Sequence, residues 1–495
     1  MAKDKEEGEP NQAANGPTAY VSPEIVDLPR KFKGNGAEPP NTESHGLFEF
    51  EPKKHYQNAA RVADHLDKRL LFYKNSWYEA GSQSYAEISE DSVRTTVSEI
   101  LPKAYQGKPP KPVNPSIQNV RSTVEALKSV AFVRDDIIMP TWLCDADYAA
   151  EEMLACANGL LHLPTGDLLP LTNDYFSLSA TTYAYDPAAP PPSLLFEFLE
   201  SVWGDDQEAI STLQEWFGYC LMHSTSLQKG LLIIGPRRSG KGTIEKILKR
   251  VIGGGCINQT LTALASQFGM QPFIGQKLVV FSDARVSAKA DAQAIVEHLL
   301  GIIGEDAQLV DRKQRPHWYG QLSTKIMITT NETPRLTDVS GAFASRFIVL
   351  SMTKSFLDQE IERIDERICT QLPSILNWAI EGWKRLRERG RFIQPESGRE
   401  TLEMLCDLNS PIYEFVNTCC TLDPQYQVSR ETLYQAYCKW CEEQGKKKPS
   451  NAMFGRDLKA AFPLLQGIQP RNAYGQRYRV YVGLKLNPSA HFDEL

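Results

Sequence analysis

The sequence predicts an α/β protein built around a mostly parallel sheet. Two short apolar runs at residues 231–234 and 278–281, and a third run within TKIMITTNETPRL that ends at Asn331, have the pattern of strands that are buried on both faces. Helical patterns separate these runs, and strands that alternate with helices favour parallel pairing. A glycine-rich loop follows the first run and leads into a helical pattern, which is the arrangement of a phosphate-binding loop.

Length and composition indicate a soluble protein of several domains. The chain has 495 residues, more than one ordinary core can hold, so we expect two to four domains. Hydrophobic residues make up 42% and charged residues 23%, as in soluble globular chains. The N-terminal residues have no apolar signal segment, and no apolar run is long enough to span a membrane. We therefore expect a cytoplasmic protein with no membrane partner.

Changes in composition and pattern divide the chain into five regions. The predicted regions are a disordered tail at 1–45, an N-terminal α+β region at 46–140, a helical domain at 141–222, a nucleotide-binding domain at 223–395 and a small C-terminal domain at 405–495. EEMLACANGLLHLPTGDLLPL within 141–222 predicts a strand hairpin that turns at 165–167, and Ser450 is a predicted cap at the start of a C-terminal helix.

The loop GPRRSGKGT is the strongest candidate for a nucleotide site. Gly235 and Gly240 allow the backbone N–H groups to wrap closely around phosphate, and Lys241 is placed to reach the outer phosphates. Loops of this type usually carry Ser or Thr directly after the lysine as a Mg²⁺ ligand, but here that position is Gly242. A plain glycine-rich turn is therefore an open alternative. The predicted nucleotide-binding residues are Gly235, Pro236, Arg237, Arg238, Ser239, Gly240, Lys241, Gly242 and Thr243.

Polar residues at later strand ends strengthen the prediction of a nucleotide site. Asp283 follows the run at 278–281, where a carboxylate can bind Mg²⁺ held by phosphates. Asn331 ends the third run, within TKIMITTNETPRL, where a carboxamide can position water or contact the γ-phosphate. Each of these residues could also be a simple strand cap. An ordered series of loop, acidic strand end, Asn strand end and Arg346 is much harder to explain by chance.

This series resembles superfamily 3 helicases of the AAA+ class, and most closely the phage/plasmid and poxvirus-type primase–helicase family. GPRRSGKGT is similar to the Walker A loop, LVVFSDA to Walker B, ITTNETPRL to the motif with the sensor Asn, and GAFASRFIVL to the arginine-finger segment. GEDAQLVDRKQRPHWYG resembles the motif whose hairpin contacts DNA in a central pore. The resemblance covers roughly residues 55–490. It implies an AAA+ P-loop NTPase core, preceded by α+β and helical domains and followed by a winged-helix-like domain.

The resemblance implies an ATP-dependent replicative DNA helicase of a phage, plasmid or integrated element, located in the cytoplasm of a bacterial cell or virus-infected host. Six subunits would form a ring and hydrolyse ATP with Mg²⁺ between neighbours. Lys241 would neutralise the β- and γ-phosphates, and Thr243 and Asp283 would hold the metal. Asn331 would orient the γ-phosphate or water, and Arg346 would act on the ATP of the next subunit.

Two groups of basic residues are predicted to contact DNA. The family resemblance places single-stranded DNA against the pore hairpin, with Lys313, Arg315 and His317 as phosphate contacts. The chain has a net charge of −7, yet residues 445–490 contain nine basic residues and one acid, which indicates an anionic partner for that segment. There the predicted contacts with duplex or origin DNA are Arg456 and Lys459 on a helix, and Arg471, Arg477 and Arg479 on a hairpin. A solvated basic face is the alternative.

The sequence departs from the family pattern in two ways. Walker B usually carries adjacent acids, but Asp283 lies between Ser282 and Ala284, so the identity of the catalytic base stays open. The 140 residues before the predicted helical domain show no carboxylate cluster suited to primase chemistry, so we expect a helicase without its own primase, with a separate primase or replication initiator as a partner. The alternatives are a nucleotide kinase and a non-catalytic oligomeric DNA-binding scaffold.

Overall fold

The computed structural model describes residues 47–282, 284, 291–334, 342–446, 448–471 and 477–487. The predicted disordered tail at 1–45 lies outside the described residues. Within them, no helix is both long enough and apolar enough to cross a membrane.

The N-terminal region combines a mixed sheet with three helices, as its α+β prediction required. Its elements are α1 (His55–His65), β1 (Leu70–Tyr73), β2 (Ser76–Ala80), β3 (Tyr85–Ile88), α2 (Glu90–Ile100), β4 (Tyr105–Gln106), β5 (Lys111–Pro112), α3 (Ile117–Val130) and β6 (Phe132–Val133). The larger sheet has the order β3-β2-β1-β6. Val62, Val97 and Leu127 from the three helices pack with Trp77 of β2 in one buried cluster.

The second region differs from the prediction of a helical domain at 141–222. It contains β7 (Thr141–Trp142), β8 (Met153–Cys156), β9 (Gly159–His162), β10 (Leu168–Leu169), β11 (Tyr175–Phe176), α4 (Ser193–Trp203) and α5 (Gln207–Leu221). Helices therefore begin only at Ser193, and the prediction is wrong for the first half of the region. The physical reason is that β8 and β9 are short runs buried on both faces, too short for helices. The predicted turn at 165–167 does connect two antiparallel strands, β9 and β10.

The central region alternates strands and helices along the chain. Its elements are β12 (Gly230–Ile234), α6 (Lys241–Ile252), β13 (Cys256–Gln259), α7 (Leu261–Leu264), β14 (Leu278–Ser282), α8 (Ala292–Ile303), β15 (Ala307–Val310), β16 (Trp318–Gln321), β17 (Lys325–Thr330), α9 (Ala342–Arg346), β18 (Phe347–Ser351), α10 (Ile364–Ile368) and α11 (Leu372–Arg389).

Five of these strands form a parallel sheet in the order β13-β14-β17-β12-β18. Alternate residues of β12 enter different cores. Leu231 and Ile233 pack with the helices α5, α6 and α11 on one face, whereas Leu232 and Ile234 belong to the core on the other face. Both faces of the sheet are therefore covered, which confirms the prediction from the continuous apolar runs. Since β12 and β17 are neighbours in parallel register, the loop after β12 and the residue after β17 share one edge.

The C-terminal region is a small three-stranded antiparallel sheet packed with helices. Its elements are α12 (Arg399–Asn409), α13 (Pro411–Cys419), β19 (Cys420–Ser429), α14 (Arg430–Glu443), α15 (Asn451–Ala461), β20 (Gln466–Ile468) and β21 (Val480–Leu486). The sheet order is β19-β21-β20. Ser450 caps α15 by accepting a hydrogen bond from the Met453 N–H at 3.3 Å, as the sequence predicted. Phe415, Trp440, Phe454 and Leu484 lie in its core.

Two buried lysines stabilise the end of α5 at the amino edge of the parallel sheet. The ammonium of Lys277 donates to the carbonyl oxygen of Leu221 at 3.4 Å, and that of Lys325 donates to the carbonyl oxygen of Met222. Cations are favourable at helix C-termini, where carbonyl groups lack helical partners. Burial lowers the pKa of Lys277 to about 8 and that of Lys325 to about 7, since the charged form is desolvated.

We predict that Lys325→Met flattens the pH dependence of stability above neutral pH. The pKa of Lys325 is lower in the folded protein than in the unfolded chain, so the unfolded chain binds more protons between about pH 7 and the unfolded value of 10.5. The free energy of unfolding should therefore rise with pH in this window for the wild type, by on the order of 1 kcal/mol per pH unit from this group. Lys384→Met at an exposed position is the control. Equal rises in urea denaturation midpoint for the wild type and Lys325→Met would contradict the prediction.

Candidate nucleotide site and nucleic-acid interface

The loop between β12 and α6 depends on two glycines for different reasons. A Cβ on Gly235 would lie 2.6 Å from the Met352 Cβ and 2.8 Å from its carbonyl oxygen, so a side chain cannot fit beside the residue that follows β18. Gly240 has a φ of +98° at the start of α6, a conformation that strains other residues. The sequence predicted that both glycines let the backbone wrap, and the structure supplies the steric causes.

Lys241 folds back into the loop from the first residue of α6. Its ammonium donates to the carbonyl oxygens of Gly235 and Pro236, each at 2.7 Å, and to the Ser239 hydroxyl at 3.1 Å. Partial burial lowers the pKa of Lys241 because the charged form loses solvent. Because its acceptors among the described residues are all neutral, this desolvated ammonium is well placed to bind an anion, which would compensate its charge.

A cleft of about 790 Å³ opens in front of this loop. Such a volume lies within the range of small-molecule and cofactor sites. Thr243 and Asn331 line the same cleft as Lys241, although Asn331 comes from a different strand. The remaining wall includes Phe198 of α4 and a segment at 356–365. The cleft is therefore lined by seven of the nine predicted loop residues, 237–243, which follow β12, and by Asn331, which follows the neighbouring strand β17.

Charged pairs join the walls of the cleft. Arg238 of the loop pairs with Glu360 at 3.2 Å, and Lys246 of α6 pairs with Asp365 of α10 at 3.4 Å. Both pairs connect the phosphate-binding side of the cleft with the segment at 356–365. Because at least one partner of each pair is largely exposed, each contributes little to stability and can exchange for other charged partners.

Asp283, the predicted metal ligand of Walker B, lies outside the described residues. Ser282 directly before it is described, and its hydroxyl donates to the carboxylate of Glu245 at 2.9 Å. Asn258 of β13 donates to the same Ser282 hydroxyl at 2.9 Å, and Lys249 pairs with Glu245 at 2.6 Å. Glu245 is only 8% exposed. Glu245 therefore lies on α6, two residues after Thr243, and contacts Ser282. Ser282 stands beside Asp283 at a position where Walker B strands usually carry an acid.

Sequence reasoning missed Glu245 as an acid close to the Walker B strand. Burial alone would raise the pKa of this carboxyl, but hydrogen bonds from Lys249, Asn258 and Ser282 outweigh it and lower the pKa. The available signal was the four-residue spacing of Glu245 and Lys249 on one helix face, which also fits an ordinary surface ion pair. Its contact with Ser282 depends on the packing of α6 against the sheet and is not visible in the sequence.

Arg346 lies at the opposite edge of the sheet from the nucleotide cleft. It ends α9 directly before β18, and the first residue of β18, Phe347, pairs with Gly230 at the start of β12. The phosphate-binding loop begins only after Ile234, so a full five-residue strand, about 16 Å, separates the two positions. The Arg346 guanidinium donates to the side-chain oxygen of Gln228. Arg346 is therefore remote from the loop of its own chain.

The predicted DNA-contacting loop joins β15 and β16 and lies on the N-terminal sheet. Arg315 forms an ion pair with Glu87 of β3, and His317 lies 2.7 Å from the Asp311 carboxylate. Lys313 makes no ion pair within the described part of the chain, and its backbone N–H donates to the Gln271 side chain at 3.0 Å. Of the three predicted phosphate contacts, two thus have acidic neighbours from the same chain.

Arg312 in the same loop was not identified from the sequence. It is 9% exposed, and its guanidinium donates to Ser76 at 3.1 Å and to Glu87 at 3.4 Å. On the adjoining strand β16, the carbonyl oxygen of Tyr319 accepts a hydrogen bond from Lys74 at 3.2 Å. Lys74 also lies 4.6 Å from the centre of the Trp318 ring, within the range of a cation–π interaction. These contacts attach the hairpin to the N-terminal sheet.

The basic surface of the C-terminal region is smaller than the sequence count indicates. Lys446 pairs with Glu414 and Lys448 with Glu442, two acids that lie outside the counted segment. The predicted DNA-contacting residue Arg456 lies 2.9 Å from Asp457. All five predicted DNA contacts in this region are exposed, namely Arg456, Lys459, Arg471, Arg477 and Arg479.

Three family models match separate parts of the chain. Residues 59–204 match the model described as D5 N terminal like, and residues 408–487 match the model described as Poxvirus D5 protein-like. Residues 233–346, which contain the phosphate-binding loop, match a family of unknown function, DUF5906. The two D5 matches confirm the resemblance to the poxvirus-type primase–helicase family.

Solved structures of the NrS-1 C-terminal region are similar to the chain over most of its length. The A-form apo structure of that region is 13% identical, covers 88% of this chain and 100% of its own, and has a TM-score of 0.47. A second A-form apo structure covers 88% of this chain and 99% of its own at the same identity, with a TM-score of 0.48.

We predict that two glycines of the loop, Gly235 and Gly242, differ sharply in their tolerance of a side chain. Gly235→Ala should weaken nucleotide binding at least tenfold because its Cβ would displace the loop backbone from Met352. Gly242→Ala is the matched control, since no atom lies within 4 Å of the added Cβ. Titration with a fluorescent ATP analogue measures both. Equal affinities of the two variants would show that the loop does not hold the nucleotide in this conformation.

Proposed function

We propose that this protein is an ATP-dependent replicative DNA helicase of a phage, plasmid or integrated element, which hydrolyses ATP at the subunit interfaces of a ring and moves along DNA. The cleft carries this proposal, since it combines a lysine-bearing phosphate loop with an Asn from the neighbouring parallel strand. The D5-type resemblance on both sides of this region in the sequence supports a role in viral or phage replication.

ATP with Mg²⁺ fits the chemistry of the residues that line the cleft. Lys241 would bind the β- and γ-phosphates, and Asn331 would orient the γ-phosphate or the attacking water. Thr243 offers a hydroxyl oxygen, the kind of hard ligand that Mg²⁺ prefers, and Asp283 is proposed as its carboxylate ligand. When bound, Mg²⁺ would neutralise charge on the phosphates.

The position of Arg346 supports the proposal of a ring of subunits. Its separation from the loop of its own chain by the length of β18 supports action on a neighbour's ATP rather than its own. There the guanidinium would stabilise the charge that develops on the transferred phosphoryl group. A closed ring repeats this interface, and the family resemblance favours six subunits.

Two regions are proposed to bind DNA. The hairpin β15–β16 would contact the phosphates of a single strand in the pore through Lys313, Arg315 and His317. The C-terminal order of helix, strand, two helices and two strands supports a winged-helix-like unit, with α15 as the recognition helix for duplex or origin DNA. A separate primase or initiator would complete the replication machinery.

The first test is ATP hydrolysis by the full chain with and without single-stranded DNA. We expect hydrolysis that DNA stimulates, and we expect Lys241→Ala to reduce it to background because the phosphate charge is no longer neutralised. Lys246→Ala, which changes a lysine of the same cleft wall outside the loop, is the control. Phosphate transfer to a nucleoside monophosphate would support a kinase instead, and silence in all assays would support a scaffold.

A second prediction concerns Arg346 and separates action between subunits from action within one. Arg346→Ala should slow hydrolysis on the order of 10³-fold while nucleotide binding persists, as for other arginine fingers. Mixing Arg346→Ala with Lys241→Ala subunits should restore part of the activity, because some interfaces then combine an intact loop with an intact arginine. Zero activity at all mixing ratios, with mixed rings shown to form, would refute the shared site.

A further inference from the structure

The contact between the hairpin tip and β3 contains one carboxylate shared by two guanidinium groups. Glu87 accepts hydrogen bonds from both Arg312 and Arg315, which lie more than 220 residues later in the chain. The hairpin tip is the loop between β15 and β16. We propose that the Glu87 carboxylate binds Arg315 of this tip at the position where a phosphate of DNA would bind. The N-terminal sheet would then compete with single-stranded DNA for Arg315. This inference rests on the proposed DNA-binding function of the hairpin and adds its internal competitor.

The two arginines differ in how easily they can change partners. The side chain of Arg312 is 6% exposed and also donates to Ser76, so it is fixed within the interface. The side chain of Arg315 is 44% exposed, and Glu87 itself is 37% exposed. A guanidinium fork binds the oxygens of carboxylates and phosphates with the same geometry. Arg315 is therefore the partner that can exchange Glu87 for a phosphate without unpacking the interface.

The charge balance also favours an exchange rather than permanent pairing. An exposed ion pair contributes little in water, since solvent screens both partners. A phosphate contact gains additional free energy at low salt through release of counterions from the DNA. Lys313 beside this pair has no acidic partner within the described residues, so it can attract a phosphate to the tip first. DNA bound to Lys313 would then lie close to Arg315.

The remaining contacts allow a local exchange at the tip. Lys74 binds the carbonyl oxygen of Tyr319 and lies over the Trp318 ring, and both residues belong to β16 rather than to the loop. These contacts and the bond from Arg312 to Ser76 do not involve Glu87. Release of Arg315 therefore leaves the hairpin attached to the N-terminal sheet and changes only the charge available to DNA.

Glu87→Gln tests this competition in the full-length protein. The side-chain oxygen of Gln still accepts a bond from the buried Arg312, but the competing charge is removed. We expect the dissociation constant for a fluorescent oligo-dT strand, measured by anisotropy, to fall about 1.5- to 5-fold at low salt. The slope of log affinity against log salt should steepen by about 0.7, the value of one additional phosphate contact on a single strand.

Two controls separate competition from a general change in charge. Glu79→Gln removes the same charge from the neighbouring strand β2, where Glu79 makes no ion pair within the described part of the chain, and should leave the slope unchanged. In the Arg315→Ala background, Glu87→Gln should no longer improve binding. Three outcomes would overturn the competition. Both Gln variants could raise the affinity for the oligonucleotide equally, Glu87→Gln could still raise it in the Arg315→Ala background, or Glu87→Gln could leave it unchanged.

The proposed function fails in a different way. If the wild type and every variant leave the oligonucleotide unbound at low salt, the hairpin is not a DNA-binding element, and both the helicase proposal and the competition are refuted. If the wild type binds DNA and Glu87→Gln has no effect, only the competition is refuted.

Discussion

The parallel pairing of β12 with β17 is the contact on which the candidate site depends. Its register aligns Ile234 with Thr330, so the residues that follow these two strands emerge side by side. Lys241 and Asn331 are distant in sequence and line one cleft only because of this alignment. Both strands are buried along their length, and a slip by one residue would turn every side chain toward the opposite core. Hydrophobic packing therefore fixes the polar geometry.

Local patterns were sufficient to predict the elements that build the cleft. The continuous apolar runs gave the strands, the glycines gave the loop, and Ser450 gave the start of α15. Such signals depend on residues close together in sequence. The sequence predicted the hairpin that turns at 165–167, but the family resemblance gave the whole of 141–222 the label of a helical domain, although strands occupy its first half between Thr141 and Phe176.

The features that sequence reasoning missed are contacts between distant segments. Glu245 meets Ser282 across the packing of α6 on the sheet, and Arg312 meets Ser76 and Glu87 across two regions. The residues next to a basic residue in the sequence do not show whether an acid from a distant segment neutralises its charge. The same limitation explains why nine basic residues in the C-terminal segment overstate its positive surface, since Glu414 and Glu442 come from outside that segment.

The strand β17 places the nucleotide cleft and the hairpin at its two ends. Asn331 follows its last residue, while only the three residues 322–324 separate its first residue from Gln321, the end of β16. The strand is about 20 Å long and is paired with β14 on one side and β12 on the other. It cannot slide alone without breaking both registers. If nucleotide binding moves the hairpin, as the proposed function requires, the movement is a pivot at 322–324 or a rigid displacement of the whole sheet. Because Lys74 and Arg312 attach the hairpin to the N-terminal sheet, a pivot would carry that sheet along or strain these contacts, whereas a rigid displacement would leave them intact.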